Sequence, residues 1–472
     1  MPIQYLTADA VRVAEHATGD LLANGTLMRR ASTGVAQIVI GELNRTGGCY
    51  GRTVGLVIGA GNNGGDALYA GAILARRGVR CSAVLLVPAK AHAGGLAALR
   101  AAGGRIVDVL PGAVDMVIDG VLGIGGTGPL RPAAAEVFAQ VTAPIVAVDL
   151  PSGIDADTGV VNDPSVRAAI TVTFGAHRNL HLLAAPQCGR IRVVDIGLPP
   201  TDTPDGLFSL TDAEVAGLWP VPGPADDKYT QGVVGIVAGS ARYPGAAILA
   251  SGAAVSATSG MTRYVGSAAD QVVSHYPEVV AANDLADAGK VQAWAVGPGM
   301  GTGDEALELL RTVLATDLPV LVDADGLTVL AQNLDLVRGR SAPTLLTPHA
   351  GEFARLSGVE VGADRLSAVR ALAAELGVTV LLKGRITLVA TPTGRVYGND
   401  AGSSWAATAG AGDVLTGIAG SLLAAGLEPA LAGACAARVH ALAAERASGG
   451  APIGASALLA AVRPVIRGLR TA

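Results

Sequence analysis

Aromatic side chains make up only 3% of this sequence and charged ones 15%, while 50% of the residues are hydrophobic. Such a balance excludes a disordered or fibrous chain and suits tightly packed α/β layers. Cysteine is sparse as well: Cys49, Cys81, Cys188 and Cys435 stand apart with no C-x-x-C, so neither a zinc cluster nor a disulfide framework is indicated. Long Leu/Ile/Val runs are missing although the mean hydropathy is high, at +0.45. The two stretches that raise it, residues 245–260 and 418–437, are rich in Ala and Gly and broken by Ser, Thr, Pro or Glu. They read as buried helices, not membrane spans. Net positive charge is lacking too; a balance of −5 argues against a general nucleic-acid binder. The first residues, Met1-Pro-Ile-Gln-Tyr-Leu-Thr7, lack the basic–apolar–small pattern of a secretory leader. A cytoplasmic protein is expected.

Glycine is what the chain has in quantity, 64 of 472 residues, at a length that favours two domains over one core. The turn around which the rest is organised is Thr408-Ala-Gly-Ala-Gly-Asp-Val-Leu-Thr-Gly417. Gly410 and Gly412 lead into Asp413, and Val414, Leu415 and Ile418 continue as an apolar helical pattern. A turn of this kind leaves backbone N–H groups unpaired at a helix start, where a phosphate can sit. Asp413, at the lip of that anion hole, is placed to take a proton from a hydroxyl about to meet a phosphoryl group. Alone, a glycine turn with an Asp is more often a plain helix cap. The company it keeps changes the odds.

Residues 7–43 read as helical, with apolar positions at spacings of three and four and no proline. Arg52-Thr-Val-Gly-Leu-Val-Ile58 is a short strand, followed by Gly59-Ala-Gly-Asn-Asn-Gly-Gly-Asp66 and a helix through Ala75. Strand, glycine loop and helix form the layout of a nucleotide-binding first turn, and Gly59, Gly61 and Gly64 satisfy G-x-G-x-x-G. The acidic residue that a dinucleotide fold needs about 20 positions on is absent, for no Asp or Glu lies between Ala67 and Val107. Arg77 or Arg80 would leave room for NADP. The loop adds a cluster of oxygen ligands in Asn62, Asn63 and Asp66. Further strands at 82–87, 105–109, 116–118 and 144–148, separated by helical segments, imply a mostly parallel, doubly wound sheet. Ligands of such sheets sit beyond the carboxyl ends of the strands, and Asp119 and Asp149 each stand at one.

Residues 59–66, Asp119 with its glycine-rich loop, and Val148-Asp-Leu-Pro-Ser-Gly-Ile-Asp155 together resemble the NAD(P)H-hydrate epimerase family, over roughly residues 6–198. The resemblance implies interconversion of the R and S forms of hydrated nicotinamide cofactor. It implies further that Asn62, Asn63, Gly64, Gly65, Asp66, Gly123, Ile124, Gly125, Gly126, Thr127, Gly128, Pro129 and Asp149 contact the hydrate. Asn63, Asp119 and Ser152 would coordinate K⁺, a hard cation suited to oxygen donors, and Asp119 and Lys90 would be the acid/base groups. Ala67 and Ser32 stand where that family usually has Gly.

The prolines from Asp195 onward close the first pattern, which places one domain at 1–203, a connector at 204–227 and a second domain at 228–472. In the second half, Val233-Val-Gly-Ile-Val-Ala238 reads as a buried strand leading into a loop and a helix. Val296-Gly-Pro-Gly-Met-Gly301, Val322-Asp-Ala-Asp-Gly-Leu327, Leu346-Thr-Pro-His-Ala-Gly-Glu-Phe353 and Val380-Leu-Leu-Lys-Gly-Arg-Ile-Thr387 are further strand ends. In this order, and ending at Asp413, they resemble the ADP/ATP-dependent NAD(P)H-hydrate dehydratases, a branch of the ribokinase-like fold, over about residues 228–469. That resemblance implies that Ala246, Gly299, Gly301 and the 349–355 turn with His349 and Glu352 hold the hydrate, with Asp413. Lys383, Gly384, Arg385, Ile386, Thr387, Gly410 and Gly412 would hold the adenine nucleotide, ADP or ATP with Mg²⁺, and Asp413 would be the catalytic base. Ala411 and Ser403-Ser-Trp405 depart from the family pattern.

The sequence thus reads as a Rossmann-like doubly wound domain followed by a ribokinase-like α/β domain. Together they would repair NADHX and NADPHX, with no nucleic acid or membrane partner and with self-association into a homo-oligomer expected. The alternative is a small-molecule kinase of the ribokinase-like fold behind a non-catalytic ligand-binding domain.

Overall fold

The structure is a computed structural model that describes residues 1–201 and 203–471. Asp202, in the proline-bearing join, and Ala472, the end of the expected second domain, lie outside the described residues. Two compact units are present, residues 4–203 and residues 1–3 with 204–472. The stretch expected as a connector contributes a strand, Leu207–Ser209, and a helix, Asp212–Leu218, to the second of them.

In the unit of residues 4–203 the parallel sheet runs Arg105–Ile106, Arg80–Leu85, Thr53–Ile58, Met116–Gly120, Ile145–Val148, Ile170–Phe174 and Arg190–Val194. Its central strands are apolar and buried on both faces, as a parallel sheet covered by helices requires. Thr53–Ile58, Met116–Gly120 and Ile145–Val148 are neighbours, so their carboxyl ends open side by side. The Asn62–Arg76 helix starts at the first of these ends. A Cβ on Gly59 would lie 2.0 Å from the Val121 carbonyl oxygen, so only glycine lets the first loop pass that close to the loop after Asp119. Ala67 is tolerated where glycine was expected because its methyl points at Gly120, which has no side chain of its own. The helical stretch expected over 7–43 is three helices, Ala8–Ala17, Asp20–Ala23 and Thr26–Arg45. They separate at Gly19 and Gly25, whose φ values of 54° and 71° no helix accommodates.

In the second unit the parallel strands run Val280–Ala282, Met261–Val265, Val233–Val237, Ala293–Val296, Val320–Val322, Thr344–Leu346 and Thr379–Leu382. Ile386–Ala390 and Val396–Asp400 continue the sheet antiparallel, and Leu207–Ser209 lies parallel to Val396–Asp400. The two apolar stretches of high hydropathy fall in the helices Pro244–Ala257, Ala411–Ala424 and Pro429–Ser448, whose small side chains form the core with the sheet. No helix among the described residues is long and apolar enough to cross a membrane. The glycines inside Ala411–Ala424 make this packing possible. A Cβ on Gly417 would stand 2.1 Å from the Ala250 carbonyl oxygen, and one on Gly420 2.8 Å from the Ala295 methyl.

Gly417→Ala is therefore expected to cost about 1–3 kcal/mol through overpacking against a backbone that cannot swing aside. Gly41→Ala, in a helix where the added methyl meets nothing within 4 Å, should instead be neutral or stabilise by up to about 1 kcal/mol. Urea unfolding followed by circular dichroism separates the two, and a Gly417→Ala protein as stable as its parent would contradict the packing described.

Candidate active sites

The carboxyl ends of the strands in the first unit frame a cavity of about 800 Å³. Asn62, Asn63 and Asp66 line it, as do Gly123, Ile124, Gly125, Gly126, Thr127, Pro129 and Asp149. Gly64 and Gly65 lie behind this wall; a Cβ on Gly65 would strike the His92 ring at 2.9 Å, and His92 itself faces the cavity. Gly128 supplies a left-handed turn, φ 79°, in the loop over the mouth.

Asp149 stands in this wall in an unusual backbone conformation. Its φ is 67°, rare for a residue with a side chain. Arg178 secures the strained turn through a 3.0 Å ion pair with Asp149 Oδ1, Thr173 Oγ1 donates to the same oxygen at 3.0 Å, and His181 Nε2 bonds the Asp149 carbonyl at 2.9 Å. Burial first, then the Arg178 and His177 charges, drives the His181 pKa down to about 3 against that backbone bond, so the ring is neutral and donates from Nε2. Asp66 is 5% exposed, and its Oδ1 is buried without a hydrogen-bond partner. Burial pushes its carboxyl well above the usual range, and the Asp149 and Glu15 charges push the same way.

Asp119 is fully buried and does not line the cavity. Its carboxylate is spent on its own loop, accepting from Ser152 N at 2.8 Å, Ser152 Oγ at 2.7 Å and Val121 N at 3.1 Å. Burial outweighs these bonds and lifts its pKa to about 6. Ser152 Oγ in turn accepts from Leu122 N at 3.0 Å, and Asn63 Nδ2 donates to the Leu122 and Val148 carbonyls at 3.1 and 2.8 Å. Asn63, Asp119 and Ser152 are thus brought together beneath the loop. Lys90 is not; it is exposed at the end of a 3₁₀ turn, Pro88–Lys90, outside the cavity wall.

In the second unit the helix Ala411–Ala424 begins at Gly410, φ 85°, and carries Asp413 in its first turn. Beside it lies an ionic knot. Lys383 Nζ reaches Asp323 Oδ1 at 2.7 Å and Glu352 Oε2 at 3.5 Å, while Thr416 Oγ1 donates to Asp323 Oδ2 at 2.7 Å. Burial alone would lower the Lys383 pKa; the two carboxylates more than offset it, and the ammonium stays charged. Burial, with the Asp323 and Asp325 charges, lifts the Asp413 carboxyl to about 7 against the pull of Lys383. The knot meets the glycine loop directly, since a Cβ on Gly412 would lie 3.7 Å from Lys383 Nζ.

The other expected residues gather around this loop in part. A Cβ on Gly299 would touch the Ala246 methyl at 3.0 Å, and Gly301 N donates to Asp325 Oδ2 at 2.9 Å. His349 caps the Ala350–Ser357 helix through Nδ1, accepting from Gly351 N, and Glu352 answers by accepting from His349 N at 2.8 Å. Past Lys383, Gly384 is crossed by Arg365, Arg385 pairs with Asp400 at 3.2 Å, Ile386 is buried in its strand, and Thr387 Oγ1 donates to the Gly384 carbonyl.

Sequence reasoning missed several residues of both sites. Arg178, Glu15 and His92 sit in no motif with the loops they face, and only the fold brings them there. Asp323 and Thr416 were visible within motifs but carried no assigned role. His440, from the Pro429–Ser448 helix, bonds the Ala411 carbonyl at 2.8 Å; burial lowers its pKa to about 4, so its neutral ring donates to the glycine loop. Among the described residues no group of three His, Cys, Asp or Glu side chains is arranged to hold a metal ion.

Comparison with known proteins covers both units. A family model described as NAD(P)H-hydrate dehydratase matches residues 234–462, and one described as the YjeF-related protein N-terminus matches residues 24–180. The bifunctional NAD(P)H-hydrate repair enzyme Nnr of Mycobacterium leprae is 56% identical over 98% of this chain and 99% of its own length. The enzyme of the same name from Mycobacterium tuberculosis is 58% identical over 90% of this chain and 89% of its own. Among solved structures, the ADP/ATP-dependent NAD(P)H-hydrate dehydratase of Bacillus subtilis, co-crystallised with ATP and Mg²⁺, matches 55% of this chain and 97% of its own at 28% identity and a TM-score of 0.50.

Arg178→Met would leave the Asp149 charge buried without its partner, and a loss of about 3–5 kcal/mol is expected. Adding Asp149→Asn should recover part of it. Denaturant unfolding of the three variants checks the pair; an Arg178→Met protein with the parent's midpoint would show that the ion pair does not hold the turn.

Proposed function

The chain belongs to the family of bifunctional NAD(P)H-hydrate repair enzymes, and from that premise we propose how its residues divide the work. The N-terminal domain interconverts the R and S epimers of NADHX and NADPHX. The C-terminal domain dehydrates the S epimer to NAD(P)H at the expense of ADP, giving AMP and phosphate. A small-molecule kinase behind a non-catalytic domain is not favoured, because relatives that match along the whole chain are bifunctional by name.

The observation that carries the dehydratase reading is the Asp413 carboxyl, poised at about 7 beside a glycine loop at a helix start. Hydroxide is a poor leaving group, so removing water from the ring requires its hydroxyl to be converted into a better one. Asp413 takes the hydroxyl proton as the oxygen meets the phosphoryl group, and the N–H groups after Gly410 stabilise the charge in transfer. The C–O bond then breaks and phosphate leaves with the former hydroxyl oxygen; the neighbouring ring carbon gives up a proton, and the C=C bond formed from that C–H pair restores the dihydronicotinamide. Mg²⁺ arriving with the nucleotide would neutralise phosphate charge. Asp325, with one oxygen spare, would be the carboxylate to hold it, since Asp323 is engaged at both oxygens by Lys383 and Thr416 and Asp413 must stay free to take the proton.

In the N-terminal domain the donors beneath the cavity loop fit K⁺. Asn63 Oδ1 makes no hydrogen bond, Asp119 Oδ2 accepts one, and Ser152 Oγ keeps a lone pair, so hard oxygens with spare capacity converge there. The ion would fix the loop of residues 123–129 over the substrate. A cytoplasmic location and self-association belong to this proposal as well.

Asp413→Asn should abolish NADH formation and phosphate release from the S epimer while R/S interconversion continues. A base must be ionised to act, so the wild-type dehydration rate should rise with pH through about 7 and level off above it. Absorbance of NADH and a phosphate assay read both. Equal loss of the two activities in Asp413→Asn would contradict the division of work.

A further inference from the structure

We propose that Asp66 is the proton donor of the N-terminal site, protonating the hydroxyl of the hydrated ring so that it departs as water. The inference rests on the epimerase reading above and deepens it by naming the acid. The two candidates from the sequence do not face the ligand: Asp119 is sealed beneath its loop and Lys90 is out in solvent. Asp66 does face it, on the cavity wall, nearly fully buried, with Oδ1 aimed at no protein donor or acceptor. An orphaned buried carboxyl oxygen is costly unless a ligand completes it.

The groups around Asp66 keep it an acid. Glu15, Asp66 and Asp149 share the cavity with Arg131 and Arg178; Arg178 is committed to Asp149 at 3.0 Å, and Arg12 and His16 bear on Glu15. His92, over Gly65, and His181, bonded to the Asp149 carbonyl, are the titratable neighbours from the adjoining elements. Burial, with the like charges of Asp149 and Glu15 adding to it, pushes the Asp66 carboxyl well above its ordinary range and so favours its protonated form. Glu15, too, is pushed upward by burial.

The chemistry needs such a group. In a hydrated dihydronicotinamide the hydroxyl stands on the ring carbon bonded to nitrogen, and the nitrogen lone pair can expel it once its oxygen is protonated. The Asp66 O–H bond breaks and the proton passes to that oxygen. The C–O bond then breaks, both electrons leave on water, and a C=N⁺ bond forms. The cation faces the carboxylate left on Asp66 and those of Asp149 and Glu15. Water adding to the opposite face forms the new C–O bond, returns the electron pair to nitrogen and gives its extra proton to the carboxylate cluster, which restores the acid. Nothing is oxidised or reduced, and no co-reactant is consumed.

The test measures R/S interconversion by chromatography without nucleotide, so that the dehydratase is idle, with the uncatalysed rate subtracted. Asp66→Asn should lower kcat at least about 100-fold, the range of general acid catalysis, with KM changed only a few-fold. The same preparation should still dehydrate the S epimer with ADP. Wild-type kcat in Asp66→Asn would overturn the proposal. In the wild type, epimerisation should fall as pH rises through the Asp66 pKa, because the donor is lost. Glu15→Gln removes a like charge and so lowers that pKa, and the alkaline limb should move to lower pH; an unmoved limb would overturn the assignment even were Asp66→Asn unable to fold. Wild-type protein that dehydrates the S epimer without interconverting the two would overturn the epimerase reading itself, and this inference with it.

Discussion

Everything polar in this protein is governed by one constraint, the burial of parallel strands on both faces. A strand such as Thr53–Ile58 or Val233–Val237 has no wet side on which to carry a working residue. Chemistry is therefore confined to the carboxyl ends, where each strand gives way to a loop or a helix start. Glycine makes those ends close enough to cooperate. Gly59 lets the first loop touch the Asp119 loop, and Gly417 lets the Asp413 helix settle against its neighbour. The abundance of glycine and alanine and the scarcity of aromatics are two aspects of the same packing.

Confinement to strand ends also crowds charge into buried places, and the chain resolves this with ion pairs that serve position more than net stability. Arg178 holds Asp149 in a left-handed backbone conformation, and Lys383 ties Asp323 and Glu352 together beneath the glycine loop. A buried pair gains little overall once desolvation is counted, yet losing one partner is expensive. Such pairs fix geometry because the alternative arrangements, with a bare buried charge, are so much worse.

Much of this was legible in the sequence wherever a motif is local. Strand, glycine loop and polar residue recur in order, and they mark the ends at Gly59, Asp119, Asp149, Gly299 and Asp413 without any structure. Strand limits shifted by a few residues, as in Arg80–Leu85 against an expected 82–87, because apolar runs continue smoothly into loops. The long N-terminal helix broke at Gly19 and Gly25, where apolar spacing alone carries no information about φ. Partners distant in sequence were illegible. Arg178 meets Asp149, and His440 meets Ala411, only through the fold, and nothing near either residue announces the contact. Which way a strand-end Asp turns was illegible too: the Asp119 hydrogen bonds to Ser152 turn its carboxylate inward, and nothing local in the sequence announces that.

The two sites use one device for opposite ends. Each sets a buried carboxyl beside two others, Asp66 with Glu15 and Asp149, and Asp413 with Asp323 and Asp325, and each pairs one of those neighbours with a cation, Asp149 with Arg178 and Asp323 with Lys383. In both, desolvation is the largest force and the like charges add to it. The difference lies in the cation. Arg178 is committed to Asp149, and burial with its neighbours' repulsion pushes the Asp66 carboxyl well above its ordinary range. Lys383 is equally engaged with Asp323, yet its charge still reaches Asp413 and draws that carboxyl back to about 7, where an ionised base and a waiting proton coexist. In the roles proposed, Asp66 would give a proton and Asp413 would take one, and what separates their environments is that a cation's charge bears on Asp413 and not on Asp66.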